Sequence, residues 1–241
     1  MKIFDWHKGK KRTHCTAVIV AAGSSSRMQG IDKIMTSLDG EPVIIRTIRA
    51  FQQSECIDEI VLVVRAEMIE KLQYLCGAYD FTKVQAVVAG GDSRRESVMA
   101  GLKAASPRTV LVAVQDGARP LVTDAIIRAV VDRAMSYHAA APAVPVTDTI
   151  KVIDEAGRVA QTPERSSLRA VQTPQVFDRD LLIAAWERAR KEHMEYTDDS
   201  SAMEGLGIHV YLTEGSQENI KITTPLDLQI AEMILDRRKQ Q

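Results

Sequence analysis

The sequence predicts an α/β protein built on a mostly parallel sheet with helices on both faces. Three observations predict it. Short, uninterrupted apolar runs recur between stretches of helical spacing, and a strand that is apolar throughout is one covered on both faces. Small and turn-forming residues gather where those runs end, at Gly23, at Gly90-Gly91-Asp92 and at Asp116-Gly117. The 241 residues, 45% hydrophobic and 26% charged, have ordinary globular composition and are enough for one sizeable core.

The elements follow in order. Ala17 to Ala22 is the first buried strand, broken by Gly23. Pro42 to Gln53 fits a helix with proline in its first turn and Val43, Ile44, Ile48 and Phe51 on one face. Glu59 to Val64 is a strand, Glu67 to Cys76 is helical, and Val84 to Ala89 is a strand ending in two glycines. Ser93 to Ala105 reads as a helix with Val98, Leu102 and Ala105 inward, then Val110 to Val114 as a strand. Asp124 is expected to cap a helix reaching His138, and Ala141 to Val146 is the next strand. From Thr147 to Ala170 the pattern loosens into an alternating segment, a turn at Glu155 to Arg158, and a return strand at Val159 to Thr162. That predicts an antiparallel arm (about 147–170) projecting from the sheet, and a marginal two-stranded arm calls for a second subunit to pack against. Regular alternation resumes with a strand at Thr173 to Phe177 and helices at Arg179 to Lys191 and Ser200 to Leu206. A strand at His209 to Thr213 and a helix from Pro225 to Arg238 follow. With no repeat or linker, residues 15–241 read as one domain behind a basic N-terminal extension, 1–14.

Charge narrows the function. Lys plus Arg (31) nearly balances Asp plus Glu (32), so no global field attracts nucleic acid or an acidic membrane surface. Any anion site is local. No 18-residue apolar run is present, and the basic head lacks the apolar segment of a signal peptide. Cys15, Cys56 and Cys76 are odd in number and without metal-ligand spacing, which points to free thiols in a reducing cytoplasm. His14, His138, His193 and His209 have no Cys or His partners at metal spacing.

In an open parallel sheet, ligands bind outside the carboxyl ends of the strands. The polar residues that follow apolar strands therefore share one rim. They are Gly23 to Lys33, including Arg27; Gly90, Gly91, Asp92, Arg94 and Ser97; and Asp116, Gly117 and Arg119. Later candidates are Thr149 and Lys151, Arg165, Thr173 to Gln175, Thr197 to Asp199, and Asn219 to Lys221. Small residues let backbone N–H groups approach an anion, and several bases stand around few carboxylates, which suits a polyphosphate with a divalent ion shared among its oxygens. Each residue also has a plainer reading. Gly90-Gly91 serves as a turn, Asp116 caps its loop, Lys221 sits on the solvent face of an edge strand, and Thr197 to Ser200 starts a helix.

Taken together and in order, AAGSSSRM with Lys33, GGDSRRESV, DGARP, VTDTIK, QTPQVF, YTDDSSAME and ENIKIT resemble the 2-C-methyl-D-erythritol 4-phosphate cytidylyltransferases, over roughly residues 16–238. Ribitol-5-phosphate cytidylyltransferases look similar and carry several of these elements. The resemblance implies CTP plus a polyol phosphate giving a CDP-polyol and pyrophosphate, with a Rossmann-like sheet, Mg²⁺ and a homodimer held partly by the arm. It implies that Arg27 and Lys33 hold the triphosphate and stabilise charge on the α-phosphate, and that Lys221 bridges CTP and acceptor. The backbone of Ala21, Ala22 and Gly23 would face ribose and phosphates, while Gly91, Asp92 and Ser97 would read cytosine, with Gly117 beside the nucleotide. Asp116 would contact the acceptor's hydroxyls or the metal-bound phosphates. Arg119, Thr149, Arg165 and Thr173 match positions that hold the polyol phosphate, with Thr149 and Arg165 reaching into the neighbouring subunit.

Two positions depart from the pattern. The family often has Pro-Lys-Gln where this chain has Asp32-Lys33-Ile34, which sets a carboxylate beside the lysine. Some members carry alanine at Gly117, and a small residue there is expected to be neutral. Rival functions are a ribitol-5-phosphate cytidylyltransferase and an inactive nucleotide-sensing module on the same fold. A dinucleotide dehydrogenase is weaker, since GSSSRM lacks the G-x-G-x-x-G spacing.

Overall fold

Apolar runs too short for helices and amphipathic stretches too long for strands alternate along the chain, and the computed structural model places them accordingly. It describes residues 13–23 and 32–240; Arg27 and nearly all of the basic head lie outside them. The first strand, β1 (Cys15–Val20), is followed by a hairpin of β2 (Ser37–Leu38) and β3 (Glu41–Pro42) and by α1 (Val43–Gln53). Next come β4 (Glu59–Val64), a one-turn 3-10 segment (Ala66–Met68), α2 (Ile69–Ala78) and β5 (Val84–Ala89). Then follow α3 (Arg94–Ala104), β6 (Leu111–Asp116), α4 (Asp124–Tyr137) and β7 (Ala139–Pro145). The arm strands are β8 (Val152–Ile153) and β9 (Val159–Gln161), after which β10 (Arg169–Val171) and β11 (Gln175–Asp178) rejoin the sheet. The remaining elements are α5 (Arg179–Lys191), α6 (Asp199–Gly205), β12 (Tyr211–Glu214) and α7 (Pro225–Lys239).

The sheet order is β10-β7-β11-β6-β1-β4-β5, with β12 on the other side of β7. The strands β6, β1, β4 and β5 are mutually parallel, as is β12 with β7. Side chains of β1 alternate between two apolar layers. Ala17 and Ile19 join α1, α2 and α4, whereas Val18 joins α3, α5 and α6, so helices cover both faces as expected. A smaller cluster seats α7 against Leu38, Val43 and Leu121.

Three expectations shift. The segment at Thr173 to Phe177 continues no parallel alternation: β11 runs antiparallel to β6 and β7, in line with β10 along the same strand. Parallel strands need a crossover of a dozen or more residues, and between the arm strands and β11 there is only a one-turn 3-10 segment (Arg165–Ser167) and no α-helix. The cap of α4 is Thr123, whose hydroxyl accepts the Ile126 N–H, and not Asp124. The strand expected at Val110 to Val114 runs on to Asp116, so Asp116 closes β6 and pairs in register with Val20. The arm strands form a separate two-stranded sheet around an Asp154–Gly157 turn, leaving Ile153 61% and Val159 59% exposed.

Two helical glycines separate close packing from ordinary helix cost. A Cβ at Gly101 of α3 would fall on Val18 Cγ1 and 3.0 Å from Val63 Cγ2, both in stiff β-branched core residues. The helix gain of about 1 kcal/mol is then outweighed by overpacking of about 1–3 kcal/mol. At Gly77 of α2 a Cβ meets nothing within 4 Å. Urea unfolding is expected to show Gly101→Ala destabilising the protein and Gly77→Ala neutral or stabilising by up to about 1 kcal/mol; the reverse order would refute this packing.

Candidate active site

Because β1, β4, β5 and β6 run the same way, their carboxyl ends share one edge, and the segments leaving them meet there. Ala21, Ala22 and Gly23 after β1, Gly91 and Asp92 after β5, Ser97 of α3, Asp116 and Gly117 at the end of β6, Lys33 and Lys221 line one cavity of about 430 Å³. The backbone continues its ladder into this edge through Ala21 N–H to Val63 O (2.7 Å) and Gly117 N–H to Val20 O (2.9 Å). The approach is close at Gly117, where a Cβ would stand 2.8 Å from Ala21 Cβ and 3.0 Å from Ile44 Cδ1. An alanine there would need a shift of its neighbours.

A second cavity of about 150 Å³ is lined by Arg119, Thr173, Gln172, Gln175, Thr197 and Asp198. The two cavities share Arg94, Asp116 and Lys221. Asp116 is the hub. Its Oδ1 accepts from Arg94 at 3.0 Å, and its Oδ2 faces Lys221 Nζ at 2.9 Å and Arg119 Nε at 3.4 Å. Its own N–H donates to the Thr173 hydroxyl at 3.1 Å, a bond that the antiparallel β11 sets up by bringing Thr173 beside the end of β6. Burial alone would raise the Asp116 carboxyl, but Arg94, Lys221 and Arg119 outweigh it and hold it at about 2.

Lys221 lies on an irregular segment rather than an edge strand. That segment is pinned on both sides. Ile222 N–H donates to Ala118 O (2.8 Å), Arg119 donates to Asn219 O (2.7 Å), and the Asn219 amide donates to Thr173 O (3.0 Å). Asp32, the carboxylate beside Lys33, is turned elsewhere. Its Oδ2 pairs with Arg65 at 2.6 Å and its Oδ1 accepts from Ile34 N–H at 3.2 Å. The Asp32 carbonyl accepts from the N–H groups of Met35 and Thr36, closing a tight turn, and Ile34 is buried in the core. In this chain the Asp32 side chain therefore braces the turn that carries the lysine, through Ile34 N–H and Arg65.

Not every expected residue gathers here. Thr149 and Arg165 are exposed on the arm and line neither cavity of their own chain; Arg165 donates to Thr147 O at 2.9 Å. Arg27 lies outside the described residues. Sequence reasoning placed Arg94 on the rim without a role, and Asp199 in a helix start. Asp198 is the cap of α6, accepting from Ser201 N–H. Asp199 has a fully buried side chain that accepts from Arg94 at 2.7 Å and from the Trp186 indole at 3.1 Å. Burial pushes its carboxyl up, against the opposing pull of Arg94 and Trp186.

A family model described as IspD, 2-C-methyl-D-erythritol 4-phosphate cytidylyltransferase, matches residues 15–237. A relative with that enzyme name from Alkaliphilus oremlandii is 43% identical over 227 residues, covering 93% of this chain and 96% of its own length. One from Caldanaerobacter subterraneus subsp. tengcongensis is 44% identical over 222 residues, covering 91% and 98%. Among solved structures, a 4-diphosphocytidyl-2C-methyl-D-erythritol synthase from Anaerococcus prevotii superposes with a TM-score of 0.84 at 31% identity, covering 94% of this chain and 100% of that one.

The low titration of Asp116 has a stability consequence. The carboxyl moves from 3.8 to about 2 on folding, so its contribution is complete above 3.8 and is lost as pH falls towards 2. The wild type is expected to lose roughly 2 kcal/mol more than Asp116→Asn between pH 5 and pH 2. Urea midpoints across that range test it, and equal acid slopes would contradict the ion-pair geometry.

Proposed function

The chain belongs to the 2-C-methyl-D-erythritol 4-phosphate cytidylyltransferase family, and we propose that it transfers the cytidylyl group of CTP to 2-C-methyl-D-erythritol 4-phosphate, giving CDP-methylerythritol and pyrophosphate. The observation that carries this reading is the junction of the two cavities at Asp116 and Lys221. A nucleotide in the larger cavity and a polyol phosphate in the smaller one would meet beside an ammonium and two guanidinium groups.

In the proposed reaction an oxygen of the acceptor phosphate attacks the α-phosphorus, and the bond to the β-phosphate breaks with its electron pair leaving on pyrophosphate. The nucleophile is already an anion, so the protein's work is alignment and neutralisation of charge. Lys33, with Arg27, is assigned the triphosphate; Lys221 is assigned the bridge between donor and acceptor. Backbone groups of Ala21, Ala22 and Gly23 face ribose and phosphates, while Gly91, Asp92 and Ser97 take the base beside Gly117. Arg119, Thr173 and Asp116 take the acceptor. Against an inactive sensor stands the number of cations at the junction. Against ribitol 5-phosphate as acceptor stand the names of the relatives.

Mg²⁺ is part of the proposal, supplying charge neutralisation on the triphosphate oxygens. The donor set fits it only in that form. Among the described residues no three His, Cys, Asp or Glu side chains gather into a site for an ion, and both Asp116 oxygens already face cations. Phosphate oxygens and water are thus its proposed ligands. A homodimer is also proposed, supported by the exposed apolar arm and by Thr149 and Arg165 lying away from their own chain's cavities. The unpaired thiols of Cys15, Cys56 and Cys76 support a cytoplasmic location. Among the described residues no helix is long and apolar enough to cross a membrane.

Purified protein with CTP and Mg²⁺ is expected to release pyrophosphate with 2-C-methyl-D-erythritol 4-phosphate in preference to ribitol 5-phosphate; the opposite preference, or none released, refutes the reading. Lys33→Ala and Lys221→Ala are each expected to lower turnover by about 10²–10³ without unfolding, followed by circular dichroism. Mixing Arg165→Ala with Lys33→Ala should restore part of the activity if each dimer assembles one intact site. No recovery after confirmed subunit exchange would argue against arm sharing.

A further inference from the structure

We propose that Asp199, held by Trp186, is a positioning residue that fixes Arg94 and, through Arg94, the carboxylate of Asp116. The effect on turnover rests on the cytidylyltransferase reading; the physical relay does not.

The argument starts from what Arg94 touches. Its guanidinium is a rigid planar fork, and one nitrogen reaches Asp116 Oδ1 at 3.0 Å while the other reaches Asp199 Oδ2 at 2.7 Å. The Arg94 side chain is 28% exposed and those of the two carboxylates 9% and 0%, so the fork ties the rim to the interior. The far oxygen of Asp199 accepts from the Trp186 indole at 3.1 Å, and Trp186 sits in the core of the α3–α5–α6 face with its ring edge against Tyr196. A chain of polar contacts therefore runs from the packed core to the group that faces Lys221.

Helix initiation does not account for Asp199, because Asp198 performs the capping. Nor does stability: a fully buried carboxylate carries a desolvation cost that its pairing offsets only in part. What Asp199 does supply is a second anchor. With both ends of the fork engaged, Arg94 is not available to swing onto incoming phosphates. Asp116 keeps Oδ1 on Arg94 and presents Oδ2 to Lys221 and Arg119. Charge is offset in part by the same device, since three cations then share two carboxylates and one net positive charge is left. Rigid support behind the groups that touch the ligand is what holds such a site in working geometry.

The test uses Asp199→Asn, Arg94→Lys and Trp186→Phe in the full chain. Arg94→Lys keeps the charge, but an ammonium cannot span two carboxylates, so kcat is expected to fall about 10–100-fold. Asp199→Asn is expected to lower kcat about tenfold or more while the calorimetric CTP dissociation constant stays within about threefold, a split that general destabilisation would not produce. Trp186→Phe, the mildest change, should lower kcat a few-fold and also identifies the Trp186 indole N–H resonance in ¹⁵N spectra. That resonance is expected to shift in Arg94→Lys and in Asp116→Asn. Folded Asp199→Asn and Arg94→Lys proteins with kcat within twofold of wild type would overturn the positioning role. An indole resonance unmoved in both Arg94→Lys and Asp116→Asn would overturn the relay. If wild-type protein makes no product from CTP and the acceptor, the functional reading fails, and the resonance still decides the relay.

Discussion

Positive charges do not stay together in a partly buried site without a counter-charge between them. Arg94, Arg119 and Lys221 come from three separate stretches of chain, and Asp116 is the carboxylate that reconciles them. Two unit charges 4 Å apart repel by about 4 kcal/mol at the effective dielectric of a protein surface, so three unscreened cations would splay apart. Asp116 can do this because it closes a central strand: β6 holds its backbone in register with Val20, and Thr173 accepts its N–H. The sheet, the antiparallel return of β11 and the pinned Lys221 segment all bear on the placement of that one carboxyl.

Much of this was legible from the residues. Ile60 to Val64 and Leu111 to Val114 are apolar at every position and buried throughout, so their burial on both faces could be read without coordinates, and the rim follows once those strands are parallel. Strand direction could not be read that way. Nothing in QTPQVF marks it as antiparallel; its direction comes from the missing crossover helix after the arm. The bond between Arg94 and Asp199 spans 105 positions and leaves no local pattern. A buried aspartate next to a capping aspartate looks like part of the same cap. Thr149 and Arg165 are named by the sequence, but their proposed work needs a second chain, and a single chain holds them exposed.

The departures from the family pattern are informative because each has a local cause. Asp32 does not compete for Lys33's place; it bonds Arg65 and the turn that follows. Ile34, where the family often has glutamine, is drawn into the core beneath the cavity. Gly117 shows the opposite case. Swapping in an alanine looks conservative by size, yet its Cβ would stand 2.8 Å from Ala21 Cβ and 3.0 Å from Ile44 Cδ1, so those neighbours would have to shift.

The two ends of the site also differ in how far dissolved ions can reach them. Asp32 and Arg65 keep 28% and 27% of their side-chain surface, whereas Asp116 keeps 9% and Asp199 none. Mobile ions at physiological concentration screen charges over about 8 Å, but only where water carries them. Rising ionic strength therefore weakens the Asp32–Arg65 anchor of the Lys33 turn more than the Asp116–Arg119 pair, whose side chains keep 9% and 13%, while Lys221, 39% exposed, is screened much as the turn is. A change in the salt around this protein therefore acts first on the turn that carries Lys33 and on Lys221, and last on the buried side of the Asp116 hub.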